Sequence, residues 1–303
     1  MNGYVDLQVN GFAGVDFNND ELTVSDIRSA CDALNDDGAH RFLPTVITAS
    51  LDQMRTRIGV LAGAIEKEEP ATALVAGIHV EGPFISPADG YVGAHPRQHV
   101  LPASIDAVQS LVDAGQGHVR LVTLAPETDP DCRVITWLAD RGIAVAGGHS
   151  DASLTQLSRA ADAGMKMFTH LGNGCPGELP RHDNIIQRVL TLAEELMISF
   201  IADGHHVPFF ALANYLEAIP DENVIVVSDA IGAAGQGEGT FTLSGQPVFV
   251  DSSLAAWSAN RIHFAGSATP VSTMRRLMKD RLGIDDETIE KWTVGNPRRL
   301  LDG

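Results

Sequence analysis

Short apolar runs alternate with amphipathic stretches from one end of the chain to the other, and no Pro/Gly/Ser-rich linker interrupts the alternation. Eight of the runs read as strands: Tyr4–Asn10, Arg41–Ile47, Leu74–Glu81, Val119–Ala125, Ala144–His149, Met167–His170, Ile198–Asp203 and Val224–Asp229. They are mostly rich in Val, Ile and Phe and largely apolar on both faces, as strands of a covered parallel sheet are. Between them, Leu22–Leu34, Leu51–Glu68, Ile105–Ala114, Pro130–Arg141, Ser153–Ala163, Asn184–Leu196 and Pro208–Ile219 carry helical spacing. Gly38, Gly142 and Gly164 stand where a helix stops before the next strand. Eight strand–helix units in about 270 residues predict an α/β fold, a (β/α)8 barrel, organised as one domain over 1–303. An open doubly wound sheet is the rival, because alternation alone does not show closure. After the eighth strand, Gly239–Phe264 alternates in strand fashion with Gly and Asn turns and reads as a small β insertion. Thr269–Leu282 and Asp286–Leu301 return to helical spacing.

In such a barrel, catalytic groups project from the C-terminal ends of the strands. Those ends form a polar series: Gln8-Val9-Asn10, His79-Val80-Glu81, Gly148-His149-Ser150, Thr169-His170, Asp203-Gly204-His205-His206 and Ser228-Asp229. One histidine at a strand end reads as a cap, but Glu81, His149 and His170 together read as metal ligands. Two imidazoles and a carboxylate with one position left open form the donor set of a hydrolytic zinc site. Non-haem iron uses the same donor types. Asp229, at the end of VIVVSD, is the candidate general base, its plainer reading being a turn or helix-cap residue.

Charge narrows the partners. The 303 residues carry a formal net charge of −18, which argues against a nucleic-acid backbone or an anionic membrane surface as partner. No apolar run reaches the roughly 18 residues of a membrane-spanning helix, and MNGYVDLQVNGF has no secretory pattern. Three widely spaced cysteines, Cys31, Cys132 and Cys175, suit a reducing cytoplasm, so a cytoplasmic protein is expected. The glycine-rich GAAGQGEG segment lacks the Lys-Ser/Thr of a phosphate loop and reads as a flexible connection.

The segments VDLQVNG, LPTVITAS, GIHVEGPFIS, GAHP, TLAPE, GGHSDAS, THLGNG, IADGHHV, VSDA and GNPRRLL occur in a telling order and spacing. They resemble the N-acetylglucosamine-6-phosphate deacetylase family of the amidohydrolase superfamily, from about residue 3 to residue 301. The resemblance implies a barrel of the metal-dependent hydrolase type that removes acetate from the amide of an amino sugar 6-phosphate. Carried onto matching positions, it implies that Glu81, His149 and His170 hold the metal and that Asp229 is base and then acid. His95, in GAHP, would contact the sugar or polarise the amide carbonyl. Asn173 and Gly174 would face the phosphate end, and His206 would contact substrate. Arg181 falls near the spacing of the family's phosphate-binding arginine, which is often supplied across a homodimer interface.

Many amidohydrolases have His-x-His on the first strand and bind two metals. This chain has Gln8-Val9-Asn10, and neutral amides are poor ligands for a second transition metal. One divalent ion per chain, zinc, is therefore expected. Three departures from the family pattern stand out. Most of the small β-sandwich built from both chain ends in relatives is expected to be missing. GNGCPGELPRHDN remodels the loop after the sixth strand, and His205 stands where relatives often have an apolar residue. Should Arg181 instead pair with Asp183 or Glu178, the substrate would be a neutral N-acetylated sugar. A galacto-configured substrate and a non-catalytic amino-sugar-binding barrel are the other readings. A mere binder has no need of a base such as Asp229 beside a hydrated metal.

Overall fold

The computed structural model describes residues 3–243, 246–258, 261 and 264–302. Eight strands form one sheet, each hydrogen-bonded to its neighbour in chain order and all parallel. They are β1 (Tyr4–Val9), β2 (Ala39–Ile47), β3 (Ile78–Glu81) and β4 (Val119–Leu124). The round continues with β5 (Ala144–Gly147), β6 (Met165–Phe168), β7 (Met197–Phe200) and β8 (Val224–Val226). Just past β8, Ala230 bridges to Val9 in parallel, and its carbonyl accepts from the N–H groups of Asn10 and Gly11 at 2.7 and 3.0 Å. That bridge brings the two edges together and decides for the barrel over the open sheet.

The helices lie where the periodicity predicts them. Thr23, Ser50 and Ser153 each accept a hydrogen bond from the N3 amide of the helix that follows, and Asp26, Gln53 and Gln156 reach back to close a capping box. The third strand begins later than its apolar run suggests. Leu74 ends a short helix, Glu69–Leu74, and Ile78 starts the strand only after Gly77, whose φ of 152° turns the chain.

The insertion after β8 is an antiparallel sheet of three strands, β9 (Gly239–Leu243), β10 (Gln246–Val250) and β11 (Ala256–Ser258). Part of the segment expected to form it, at 244–245, 259–260 and 262–263, lies outside the described residues. The sheet has its own small apolar cluster, in which Leu243, Val248, Val250 and Ala256 meet Ile231 and Ala265. The chain then rejoins the barrel rim through a parallel bridge between Ala230 and Ser267.

Among the polar groups buried in this framework is a carboxylate. Asp6 on β1 is only 1% exposed, and its Oδ1 accepts from the backbone N–H groups of Gln8 and Ser228 at 3.2 and 3.1 Å. Burial pushes its pKa up to about 7, overcoming the hydrogen bonds that favour the ionised form. The folded chain therefore holds this proton in a range where the unfolded chain has released it. The resulting stability is complete below about pH 4 and is lost as pH rises towards and through 7. An asparagine side chain at this position would keep the Oδ1 acceptor and never ionise. In chemical denaturation between pH 4 and 7, Asp6→Asn is expected to gain relative to the parent by up to about 1.4 kcal/mol per pH unit. Parallel pH–stability curves for the two proteins would contradict this.

Candidate active site

The polar series converges at one end of the barrel. Glu81 closes β3, and His149 and His170 stand just beyond β5 and β6. His149, His170 and Asp229 all have left-handed backbone, with φ of 49, 34 and 49°, a region that non-glycine residues enter at a cost. Those kinks lie where three strands turn into loops at the mouth of the barrel. There the three residues line a cavity of about 610 Å³ together with Glu81 and His95.

Glu81 Oε1 is the hub. The Nε2 atoms of His170 and His149 lie 3.0 and 3.4 Å from it, and Gln8 Nε2 donates to it at 3.0 Å. Burial raises the Glu81 pKa, but the hydrogen bonds from His149 and His170 outweigh it and hold the carboxyl well below the usual range. His170 shows the reverse balance. Burial disfavours its charge, yet the bond and charge of Glu81 leave its pKa raised. The same Gln8 amide nitrogen also donates to Asp229 Oδ1 at 3.1 Å, and Thr169 Oγ1 donates to Gln8 Oε1 at 2.7 Å, which fixes the amide's orientation. Asn10 Nδ2 donates to the same Asp229 oxygen at 2.7 Å. Burial, followed by the charge of Glu81, raises the Asp229 pKa, with His170, His206 and the Asn10 bond opposing. Asn10 Oδ1 is buried without a partner among the described residues, and Asn10 lines the cavity.

Hydrogen bonds on the far ring nitrogens sort the histidines. His149 Nδ1 lies 2.8 Å from the carbonyl oxygen of Tyr91, to which it can only donate, so Nε2, the nitrogen facing Glu81, is the one that would give up its proton to bind a cation. That is the orientation of a metal ligand. His95 is the opposite case. Thr48 N–H donates to its Nδ1 at 3.4 Å, with the Thr48 hydroxyl 2.8 Å away, so the neutral ring carries its proton on Nε2. Burial lowers the His95 pKa to about 3, which keeps the ring neutral. Ligand atoms of Glu81, His95 and His149 all lie within 4.8 Å of one another, so position alone would admit His95 as a ligand. Its tautomer instead turns an N–H, not a lone pair, toward the cavity. The chemistry of this donor set fits a divalent cation: a buried carboxylate, a histidine with Nδ1 committed to a backbone carbonyl, and a second histidine sharing the same oxygen.

Gly93 and Gly174 flank His149 with φ of 57 and 58°, and a Cβ at either would come within 3.1 or 2.9 Å of the imidazole. The loops after β3 and β6 thus approach the His149 ring closely at two positions that lack side chains. Asn173 and Gly174 line the cavity as expected, Asn173 Nδ2 bonding the His170 carbonyl at 3.3 Å. His206 lines it too, its Nδ1–H donating to Asp203 Oδ2 at 2.7 Å. Arg181 does not: it is exposed on the loop after β6 and is absent from the residues lining the cavity. Its candidate partner Asp183 is engaged by Arg188 Nε at 2.6 Å.

No protein-family profile matches the chain. It is 35% identical over 313 residues to the human N-acetylglucosamine-6-phosphate deacetylase, covering 99% of this chain and 73% of that one. The N-acetylgalactosamine-6-phosphate deacetylase of Escherichia coli O157:H7 is 30% identical over 298 residues, with 98% and 77% covered. The chain belongs to the N-acetylglucosamine-6-phosphate deacetylase family. A mutant family member from Mycobacterium smegmatis, solved in complex with N-acetyl-D-glucosamine-6-phosphate, superposes with a TM-score of 0.89 at 26% identity, covering all of this chain and 77% of that one. As a member of the deacetylase family the protein is an amidohydrolase. The family implies a divalent metal, and the Glu81 cluster is where these residues fit one.

Proposed function

We propose that this enzyme hydrolyses the acetamide of N-acetylglucosamine 6-phosphate, giving glucosamine 6-phosphate and acetate, with one zinc ion held by Glu81, His149 and His170. A divalent ion there supplies Lewis acidity to the amide oxygen and lowers the pKa of water. The observation that carries the reading is the single Gln8 amide group bonded to both Glu81 and Asp229, an arrangement that supports a base acting next to a bound cation. Asp229 Oδ takes the proton of the attacking water and returns it to the nitrogen as the C–N bond breaks. His95 Nε2–H donates to the oxygen on which charge develops. Asn10 and Gln8 hold the Asp229 carboxylate in place.

The phosphate end is assigned to Asn173, Gly174 and His206, with Arg181 supplied by the second subunit of a homodimer. Among the described residues the lining of the cavity includes neither lysine nor arginine, which is the observation that favours an unphosphorylated sugar as the second reading. Three substrates separate the readings in an acetate-release assay: N-acetylglucosamine 6-phosphate, its galacto epimer, and plain N-acetylglucosamine. The phosphorylated gluco substrate is expected to exceed the plain sugar in kcat/KM by about a hundredfold or more, since two charge-assisted bonds are lost with the phosphate. Equal values would shift the assignment to a neutral sugar. All three cysteines are free thiols, which supports a cytoplasmic enzyme. No helix among the described residues is long and apolar enough to cross a membrane.

A further inference from the structure

The insertion after β8 adds large apolar side chains to a cavity that elsewhere is lined by the polar cluster, by glycines and by Ile47, Ala94 and Pro176. Leu243, Trp257 and Phe264 line its wall, and Trp257 and Phe264 remain only partly buried. The two rings sit 4.5 Å apart between centroids, and Phe264 lies 5.0 Å from the ring of His206. Trp257 Nε1–H donates to Asp251 Oδ2 at 3.0 Å, so the indole is pinned by its polar edge. The loop that carries Asp251 is itself tied to the barrel, because His205 Nε2 lies 2.9 Å from the carbonyl oxygen of Ser253 and can only donate to it. His205 and His206 share one anchor: both backbone N–H groups donate to Asp203 Oδ1, at 2.8 and 2.9 Å. One side chain of the pair thus reaches the insertion while the other faces the cavity.

We propose that the Trp257–Phe264 pair is the stacking platform for the pyranose ring of the substrate, and that His205 is the positioning residue that holds this platform against the site. A pyranose presents C–H groups on its faces, and a half-exposed aromatic pair in the wall of the pocket offers the complementary surface. The inference rests on the reading of the substrate as an amino sugar phosphate. It also gives His205, an odd residue for its position in the sequence, a physical task.

The test uses the metal-loaded full chain. Binding of N-acetylglucosamine 6-phosphate is measured by calorimetry in an Asp229→Asn background, and kcat and KM are measured in the otherwise unaltered enzyme. Trp257→Ala is expected to weaken binding and raise KM about tenfold with kcat changed less than about twofold, while Trp257→Phe recovers most of the loss. His205→Ala is expected to raise KM similarly and to shift the Trp257 emission to longer wavelength. His205→Gln, which can still donate to the Ser253 carbonyl, is expected to restore both. Unchanged affinity in Trp257→Ala overturns the platform, and a His205→Ala variant with parental KM and emission overturns the positioning role. Failure of the Asp229→Asn parent itself to bind the sugar phosphate overturns both the substrate reading and the inference built on it.

Discussion

Asp229→Asn is expected to lower kcat on the order of a thousandfold while the protein keeps one metal ion per chain. Asparagine preserves the Oδ1 acceptor for Asn10 Nδ2 and Gln8 Nε2, so the local geometry survives and only the proton-accepting oxygen is lost. The folded state should not suffer. A buried carboxylate whose pKa is raised by burial and by the neighbouring Glu81 charge is a cost to folding at neutral pH, so the melting temperature should hold or rise. Metal content, melting temperature and single-turnover acetate release are the three measurements. Residual turnover within tenfold of the parent would remove Asp229 from the role of base.

The second large effect concerns the metal. Glu81→Gln is expected to weaken divalent-metal affinity by about a hundredfold or more and to take activity down with it, with partial recovery in excess zinc. The reason is electrostatic: the carboxylate is the anionic member of the donor set, and its oxygen is the point on which His149 and His170 converge. The contrasting variant is His95→Gln. Because the Thr48 contacts keep the His95 proton on Nε2, this variant is expected to keep the metal and lose kcat alone. Metal analysis after dialysis against a chelator distinguishes the two. Loss of metal in His95→Gln would make His95 a ligand instead of an oxyanion donor.

The barrel was legible because a strand covered on both faces has a pattern no amphipathic helix shares, repeated eight times at regular spacing. The ends of those strands were legible for the same reason: an ionisable residue after VIVV has no packing purpose. Where apolar content ran on without a break, as from Leu74 to Glu81, the boundary between helix and strand was set by Gly77 and was misplaced from sequence. The partners that sort the histidines were not legible at all. Tyr91 contributes a backbone carbonyl and Thr48 a backbone N–H beside its hydroxyl, and backbone groups leave no mark on the residue type. Trp257 and Phe264 were hidden for a different reason. They belong to an insertion whose docking over the cavity depends on contacts such as His205 to Ser253, 48 residues apart in the chain.

His149, His170 and Asp229 share a left-handed backbone that glycine or asparagine would adopt with less strain. The working end of the barrel is thus held under tension by the ring of strands beneath it. A chain selected for ruggedness alone would relax at these three places first, and the molecule that resulted would be sturdier and inert.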